Sequence, residues 1–123
     1  MEAQLEKFLE ETVQADRRPD VYVMVMSGPE DGRIFPVTKE SVTVGRLDTN
    51  EVALGLDPVV SRNHARVTRE GDRHFIADLN SKFGTEVDGE RVPAGGKKEL
   101  RRESLIRVGE TLLVFRAAAP AGN

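Results

Sequence analysis

Short apolar runs, rich in Val, Ile and Leu, recur along the chain from residue 21 onward. Clear examples are residues 21–26, 41–44, 105–108 and 111–115. Clusters of Gly, Asp and Pro separate the runs, as at residues 27–32, and such clusters favour turns. Many short strands divided by turns are typical of an all-β sandwich or barrel. Because no helical pattern separates the runs, the sequence argues against a fold that alternates strands and helices.

Three local features refine this prediction. Pro36 has no amide N–H to donate, so its strand is expected at a sheet edge or at a bulge. Residues 64–69 and 73–79 are typical of a hairpin joined by a Glu-Gly-Asp turn. Asp88-Gly89 lies between two further strand-like runs, and an Asp-Gly pair is a strong signal for a two-residue hairpin turn. Both hairpins imply antiparallel pairing.

The start of the chain has a different pattern. Apolar residues recur there at helical spacing, separated by Glu and Gln; they are Leu5, Phe8, Leu9 and Val13. Pro19 and the charged residues before it break this pattern. A helix of this length is marginal in water, so it is predicted either to dock through its apolar stripe or to fray. The chain therefore divides into a helical or flexible extension at 1–20, a domain at 21–116 and a flexible tail at 117–123.

Composition narrows the function classes. The chain has 123 residues, 38% of them hydrophobic and 32% charged, which suits one soluble domain. Its net charge of -3 argues against a nucleic-acid partner bound through bulk charge. No Cys is present, which excludes disulfides and thiolate metal sites and is compatible with the reducing cytoplasm.

Targeting signals are not apparent in the sequence. The acidic start contains no apolar run, which argues against a signal peptide. No segment approaches the roughly 18 consecutive apolar residues of a membrane span. The expectation is a cytoplasmic domain with no membrane partner.

Three polar stretches are expected at one end of the sandwich. Residues 61–64 are all polar and lie between apolar anchors, as in a loop held by its flanks. Gly45-Arg46 ends an earlier predicted strand, and residues 78–85 follow a later one. Loops at one end of a sandwich converge in space, and this is where such folds carry their function.

These loops hold groups that suit an anion. Arg46 offers a planar fork of donors that matches a phosphate or a carboxylate, and Ser61 offers a hydroxyl. Backbone N–H groups around Arg62 and Lys82 could add donors, and Lys82 could add a positive charge. On residue types alone, ordinary solvated loop residues are the simpler interpretation, since most surface Arg and Ser residues bind nothing.

The order and spacing of several motifs are informative. They are Gly45-Arg46, Ser61-x-x-His64, Asp78-Leu79-x-Ser81-x-x-Gly84-Thr85, and Leu105-Ile106-x-Val108-Gly109 running on to Phe115. Together they resemble the forkhead-associated (FHA) domain family, over nearly all of the chain after its N-terminal extension. The resemblance implies a β-sandwich of about eleven strands that binds phosphothreonine peptides through its loops. It implies a protein–protein interaction module in bacterial-type Ser/Thr kinase signalling, with neither catalysis nor a cofactor.

The resemblance also implies roles for single residues. Arg46 matches the family arginine that grips the phosphate, and Ser61 matches the serine that hydrogen-bonds it. Arg62 occupies a position whose backbone N–H often contacts the phosphate. Gly45 and His64 match residues that shape the site without touching the ligand.

The turn after residue 80 departs from the family pattern. Asn80 and Ser81 are expected near the peptide, and Gly84 is expected to shape the turn. Lys82 stands where a hydroxyl often helps to hold the phosphate, and its ammonium could act there as a charge. Phe83 stands where an Asn normally clamps the peptide backbone. Phe has no hydrogen-bonding side chain, so it could instead stack on a ligand side chain or form a protein–protein patch.

Other residue combinations in the chain suggest different functions. Ser61, His64 and Asp78 invite a hydrolase interpretation, but residues three apart that enter a strand point to opposite faces. His64 and His74, without Cys, make a poor metal site. A phosphate-independent or self-associating module on the same fold is the alternative that Phe83 and the apolar face of the predicted helix favour.

The N-terminal extension adds a regulatory hypothesis. Some bacterial FHA proteins carry a phosphorylatable threonine in such a segment, which then binds the domain's own phosphate site. Thr12, which follows Glu10-Glu11, is the candidate in this chain. The chain's own N-terminal segment is therefore a possible partner, beside other phosphothreonine-containing proteins; the simpler interpretation is a solvated helix residue.

Overall fold

The computed structural model describes residues 19–118, and eleven strands form there in two sheets. The strands are β1 Val21–Ser27, β2 Ile34–Pro36, β3 Ser41–Gly45, β4 Val52–Ala53, β5 Ala65–Glu70, β6 Arg73–Asp78, β7 Thr85–Val87, β8 Glu90–Arg91, β9 Lys97–Leu100, β10 Glu103–Val108 and β11 Thr111–Ala117. The predicted all-β sandwich is thus confirmed. No helix of this described range is long and apolar enough to cross a membrane. The predicted N-terminal helix, Thr12 and the last five residues lie outside the described residues.

The strands pair almost wholly with antiparallel neighbours. One sheet has the order β2-β1-β11-β10-β7-β8, and the other has the order β4-β3-β5-β6-β9. Only the short β3–β4 pairing is parallel among the described strands. Pro36 lies in the edge strand β2, as its missing N–H predicted. Asp88 and Gly89 have φ values of 51° and 84° and join β7 to β8 in the predicted tight hairpin.

The core lies between the two sheets and follows from alternation along each strand. In β10, Ser104, Ile106 and Val108 are buried while the residues between them are exposed. The largest fully buried side chains are Phe115, Leu54, Ile76, Ile106 and Leu113. Burial of each such side chain contributes roughly 1.5–3 kcal/mol, so the core supplies most of the driving force for folding.

Strand register brings the three polar stretches to one end of the sandwich. Val44 pairs with Ala65, and Ala65 pairs in turn with Asp78. The end of β3, the start of β5 and the end of β6 therefore lie side by side. The loops attached at these points meet because antiparallel pairing reverses the direction of each successive strand.

A buried aspartate joins two loops that are far apart in the sequence. Asp57 has no exposed surface and lies between β4 and β5. Its Oδ2 accepts hydrogen bonds from the Glu110 N–H at 2.9 Å and the Thr111 hydroxyl at 2.7 Å, and Oδ1 accepts from the Val59 N–H at 2.9 Å. Gly109 makes room for Asp57 and Val60, since a Cβ there would lie 3.1 Å from Oδ2 of Asp57 and 2.8 Å from the Val60 side chain. Sequence reasoning missed Asp57, because its partners Glu110 and Thr111 are more than fifty residues away.

The substitution Asp57→Ala should therefore destabilise the domain by about 2–4 kcal/mol, because it leaves buried donors unsatisfied. The exposed turn residue Asp48 supplies the control: Asp48→Ala should change the free energy of unfolding by less than about 0.5 kcal/mol. Urea unfolding of the two variants measures both values. Equal midpoints for the two variants would show that Asp57 does not brace the loops.

Candidate functional site

Backbone hydrogen bonds join the three loops. The Arg46 N–H donates to the Ser61 carbonyl at 3.0 Å, and the Leu47 N–H donates to the Arg62 carbonyl at 3.3 Å. The Lys82 N–H donates to the Ser61 hydroxyl oxygen at 3.0 Å. The structure thus brings together Arg46, Ser61, Arg62 and Lys82, the four residues predicted to bind phosphate.

The positive charges of this cluster have no acidic partner within residues 19–118. Arg46 is half-buried, and its Nε donates to the Val60 carbonyl at 3.1 Å, which fixes the plane of the guanidinium. Arg62 and Lys82 have exposed side chains. Among the ion pairs of residues 19–118, none involves Arg46, Arg62 or Lys82. The loops therefore present positive charge that an anion could neutralise.

One of the predicted backbone donors, the Lys82 N–H, is not available to a ligand. The Lys82 N–H is already bound to Ser61, so it is not free for a ligand. Since the Ser61 oxygen accepts that bond, its own hydroxyl hydrogen remains free to donate. The Arg62 N–H makes no hydrogen bond within the described residues and lies in the exposed part of the loop. Lys82 can then contribute its ammonium alone.

Gly45 permits the close approach of two loops. A Cβ at this position would lie 2.7 Å from the amide nitrogen of Asn50 and closer still to the carbonyl oxygen of Arg62. The Asn50 amide donates to that carbonyl at 2.8 Å and to the Leu47 carbonyl at 2.9 Å. Asn50 is a buried residue that sequence reasoning missed; its one signal is its place in a turn-rich run.

His64 ties the loop of residues 61–64 to the loop of residues 78–85. It is fully buried, its Nδ1 accepts a hydrogen bond from the Ser61 N–H at 3.0 Å, and its Nε2 bonds to the Gly84 carbonyl at 2.9 Å. Because a carbonyl only accepts and an amide only donates, the proton must lie on Nε2. Both nitrogens are occupied, so His64 is not placed to take a proton from the Ser61 hydroxyl as a hydrolase would require. Its geometry matches the predicted shaping role.

Asp78 organises the turn that follows β6. Its Oδ1 accepts from the hydroxyls of Ser81 at 2.5 Å and Thr85 at 2.7 Å, and its Oδ2 accepts from the Ser81 N–H at 3.0 Å. Burial alone would raise the pKa of Asp78, but the bonds from Ser81 and Thr85 outweigh it and lower the pKa. The Ser81 oxygen also accepts from the Gly84 N–H at 2.9 Å. Ser81 therefore supports the turn, and its predicted contact with a peptide stays a prediction.

The outer part of this turn is exposed. Asn80 has a φ of 60°, a left-handed conformation that Asn tolerates, and it makes no side-chain hydrogen bond within the described residues. The Phe83 side chain is 56% exposed, and the Lys82 ammonium lies 5.4 Å from the centre of its ring. An aromatic ring left in water beside free cations is available to pack on a ligand.

Arg91 fixes the position of Phe83, and sequence reasoning missed it as well. Its Nη2 donates to the Phe83 carbonyl at 3.1 Å. Gly84 has a φ of 86°, and a Cβ there would lie 2.7 Å from the guanidinium carbon of Arg91. A side chain at position 84 would push this guanidinium aside, and the positive φ of the position also favours glycine.

Comparison with known proteins identifies this arrangement of loops. A sequence model of the FHA domain family matches residues 42–109 of the chain, which include all three loops. The chain belongs to the FHA domain family. The resemblance that the motifs predicted is thereby confirmed.

Solved structures share the FHA fold. An FHA domain from work on phosphothreonine-dependent FHA domain interactions is 28% identical, with a TM-score of 0.71 over 80% of this chain and 97% of that chain. EmbR of Mycobacterium tuberculosis, solved in complex with a low affinity phosphopeptide, is 27% identical, with a TM-score of 0.71 over 84% of this chain and 26% of that chain.

Curated relatives carry the FHA domain within longer proteins. An oxoglutarate dehydrogenase inhibitor of Corynebacterium jeikeium is 33% identical over 93 residues, which cover 76% of this chain and 62% of that protein. The FHA domain-containing protein FhaB of Mycobacterium tuberculosis is 27% identical over 95 residues, which cover 77% of this chain and 59% of FhaB. This chain thus spans less than two thirds of the length of either relative.

Gly45→Ala should destabilise the FHA domain by about 1–3 kcal/mol and weaken anion binding, because the added Cβ pushes the Arg62 loop away from Arg46. Gly55→Ala is the matched control, since its Cβ would meet nothing closer than the Arg46 carbonyl oxygen at 3.6 Å. That change should leave stability equal or raise it by less than about 1 kcal/mol. Thermal unfolding with and without inorganic phosphate tests both. Gly45→Ala behaving like Gly55→Ala would refute the close-approach role.

Proposed function

We propose that this FHA domain binds phosphothreonine-containing proteins through the loops that carry Arg46, Ser61 and Arg62, without catalysing a reaction. The observation that carries the proposal is the uncompensated Arg46 guanidinium beside two free donors, the Ser61 hydroxyl and the Arg62 N–H. The relatives support it, since two solved FHA structures come from studies of phosphothreonine-dependent or phosphopeptide complexes.

The chemistry of a phosphothreonine matches the donors. Its phosphate carries about -1.5 to -2 charges at neutral pH and three strong acceptor oxygens. The Arg46 fork can bind two of these oxygens, and the Ser61 hydroxyl and Arg62 N–H can reach others. Since Nε of Arg46 is held by Val60, its terminal amino groups are the ones left for the phosphate. The arrangement positions an anion and offers no free base, which fits binding rather than hydrolysis.

Charge favours this function over the phosphate-independent alternative. A module that bound apolar surfaces alone would gain nothing from three clustered cations, whose mutual repulsion costs stability until an anion neutralises them. The exposed Phe83 ring then belongs to the same phosphopeptide site. It packs on a peptide side chain next to the phosphothreonine.

The setting of the function follows from the ligand. A phosphothreonine ligand requires a Ser/Thr kinase, and both curated relatives named above come from bacteria. The domain therefore acts in bacterial-type Ser/Thr kinase signalling. A cytoplasmic location fits this role and the absence of Cys.

Arg46→Ala should lower the affinity for a phosphothreonine peptide by roughly 100-fold or more, because it removes two charge-assisted bonds. Ser61→Ala should cost roughly tenfold, since it removes one donor. Arg107→Ala, an exposed residue in β10 on the other sheet, is the control and should bind like the parent chain. Titration calorimetry with phosphorylated and unphosphorylated peptides measures all three. Unchanged affinity for the Arg46 variant would contradict the proposed site.

Phe83→Asn should strengthen phosphothreonine peptide binding, because an amide there restores hydrogen bonds to the peptide backbone. One such hydrogen bond adds a net binding free energy of about 1 kcal/mol, which is roughly fivefold in affinity. Phe83→Ala is the control, since it removes the ring without adding an amide. If Phe83→Asn binds no better than the parent chain, the added amide contributes less than the ring that it replaces, and the prediction is wrong.

A further inference from the structure

The outer face of the sheet that contains β1 and β10 carries an apolar row across four strands. Strand register aligns one outward side chain from each of β2, β1, β11 and β10, in the order Ile34, Met24, Val114 and Leu105. Each of them alternates along its strand with buried core residues, so it points away from the core. Val114 is buried and Met24 is half-buried, whereas Ile34 and Leu105 at the two ends are 40% and 45% exposed. Aliphatic side chains left in water on one rigid face favour contact with another protein.

Charged residues flank this apolar row on both sides. On one side, Glu103 of β10 lies beside Arg116 of β11; on the other, Arg107 of β10 lies between Glu86 of β7 and Leu112 of β11. The ion pairs here are loose, since Nε of Arg107 lies 4.0 Å from Glu86 and Nε of Arg116 lies 3.5 Å from Glu103. Glu103 and Arg107 each keep more than half of the side-chain surface exposed. Both therefore remain open to a further ion pair.

The charge pattern of β10 is complementary to itself. Glu103 and Arg107 lie on the same face of one strand, two residues to either side of Leu105. A two-fold axis along the apolar row would reverse the strand direction of a second copy. Glu103 of each copy would then face Arg107 of the other, and Leu105 would face its own counterpart. A two-fold axis along β10 would instead set each charge against the same charge, so the pattern favours the first arrangement.

The size of this surface sets the expected strength of the contact. Its four strands lie about 4.8 Å apart, and Glu103 and Arg107 are separated by about 14 Å along β10. Two such sheets can pack face to face about 10 Å apart, as they do within a β-sandwich. The area is at the lower end of the range for specific complexes, so a dissociation constant on the order of 100 µM is expected.

The phosphate site does not share this surface. The strands that position most of its loops, β3, β5 and β6, belong to the other sheet. A contact on the outer face of β1, β10 and β11 therefore leaves Arg46 and Ser61 open to a ligand. Because the axis reverses strand direction, the two phosphate sites of a dimer would lie toward its opposite ends.

We propose that the chain forms a weak symmetric dimer through this outer face, held by the apolar row and by two reciprocal ion pairs between Glu103 and Arg107. The partner is a second copy of this chain, and the contact involves no phosphate. It goes beyond the proposed phosphopeptide function, acts beside it and does not depend on it.

Sedimentation equilibrium of the full chain over a dilution series tests the dimer. The expected result is a reversible equilibrium between monomer and dimer. Amide NMR spectra along the same series should shift at residues 103–107 and 112–114, with residues 45–47 and 61–64 unchanged. A monomer mass at all concentrations up to about 1 mM would overturn the proposal. Shifts centred on the phosphate loops would overturn it as well, because they would place the contact there.

Substitution of Leu105 tests the apolar row. Leu105→Lys should raise the dissociation constant of the dimer by about tenfold or more, because it sets two ammonium groups against each other at the axis. Leu56→Lys changes a more exposed leucine, in the loop between β4 and β5, and should leave the dissociation constant unchanged. Equal effects of the two variants would contradict the proposed face. Both variants should bind a phosphothreonine peptide like the parent chain, so failure of the dimer and failure of the phosphate site are distinguishable.

Mixing of charge variants tests the symmetry. Glu103→Arg and Arg107→Glu should each weaken self-association by about tenfold or more, because like charges then face each other. The two variants mixed together should associate more tightly than either does with itself, since the mixed dimer restores both opposite-charge pairs. Glu40→Arg makes the same charge change at an exposed residue outside the face and should not restore association with Arg107→Glu. If the first mixture gains no more than the second, the reciprocal ion pairs do not exist and the proposal is wrong.

Discussion

The contact between His64 and its two loops is the constraint on which the site depends. Each ring nitrogen is bonded to the backbone of a different loop, through the Ser61 N–H and the Gly84 carbonyl. Because the imidazole is fully buried, losing either bond would leave a polar group without a partner inside the protein. The ring therefore fixes the separation of the loops, and with it the place of the Ser61 hydroxyl relative to Arg46. The proposed phosphate donors are thus held in place before any ligand binds, which would lower the entropy cost of binding.

Local signals explain why so much of the fold follows from the sequence. Pro36 excludes a central strand by its own chemistry, and Asp88-Gly89 forms a turn whose backbone angles few other pairs adopt. Alternation along β10 places its side chains without reference to distant residues. The loops that carry Arg46 and Ser61 were also predictable, since these residues belong to short motifs that resemble a known family.

The supports of the site were not predictable in this way. Asp57 bonds to residues more than fifty positions away, and Asn50 reaches the Arg62 carbonyl across the sandwich end. Their role depends on strand order, which no local pattern contains. Likewise, the Lys82 N–H was expected to face a ligand, but the turn geometry set by Asp78 directs it to Ser61. Sequence reasoning found the groups that we propose bind the phosphate and missed those that hold them in place.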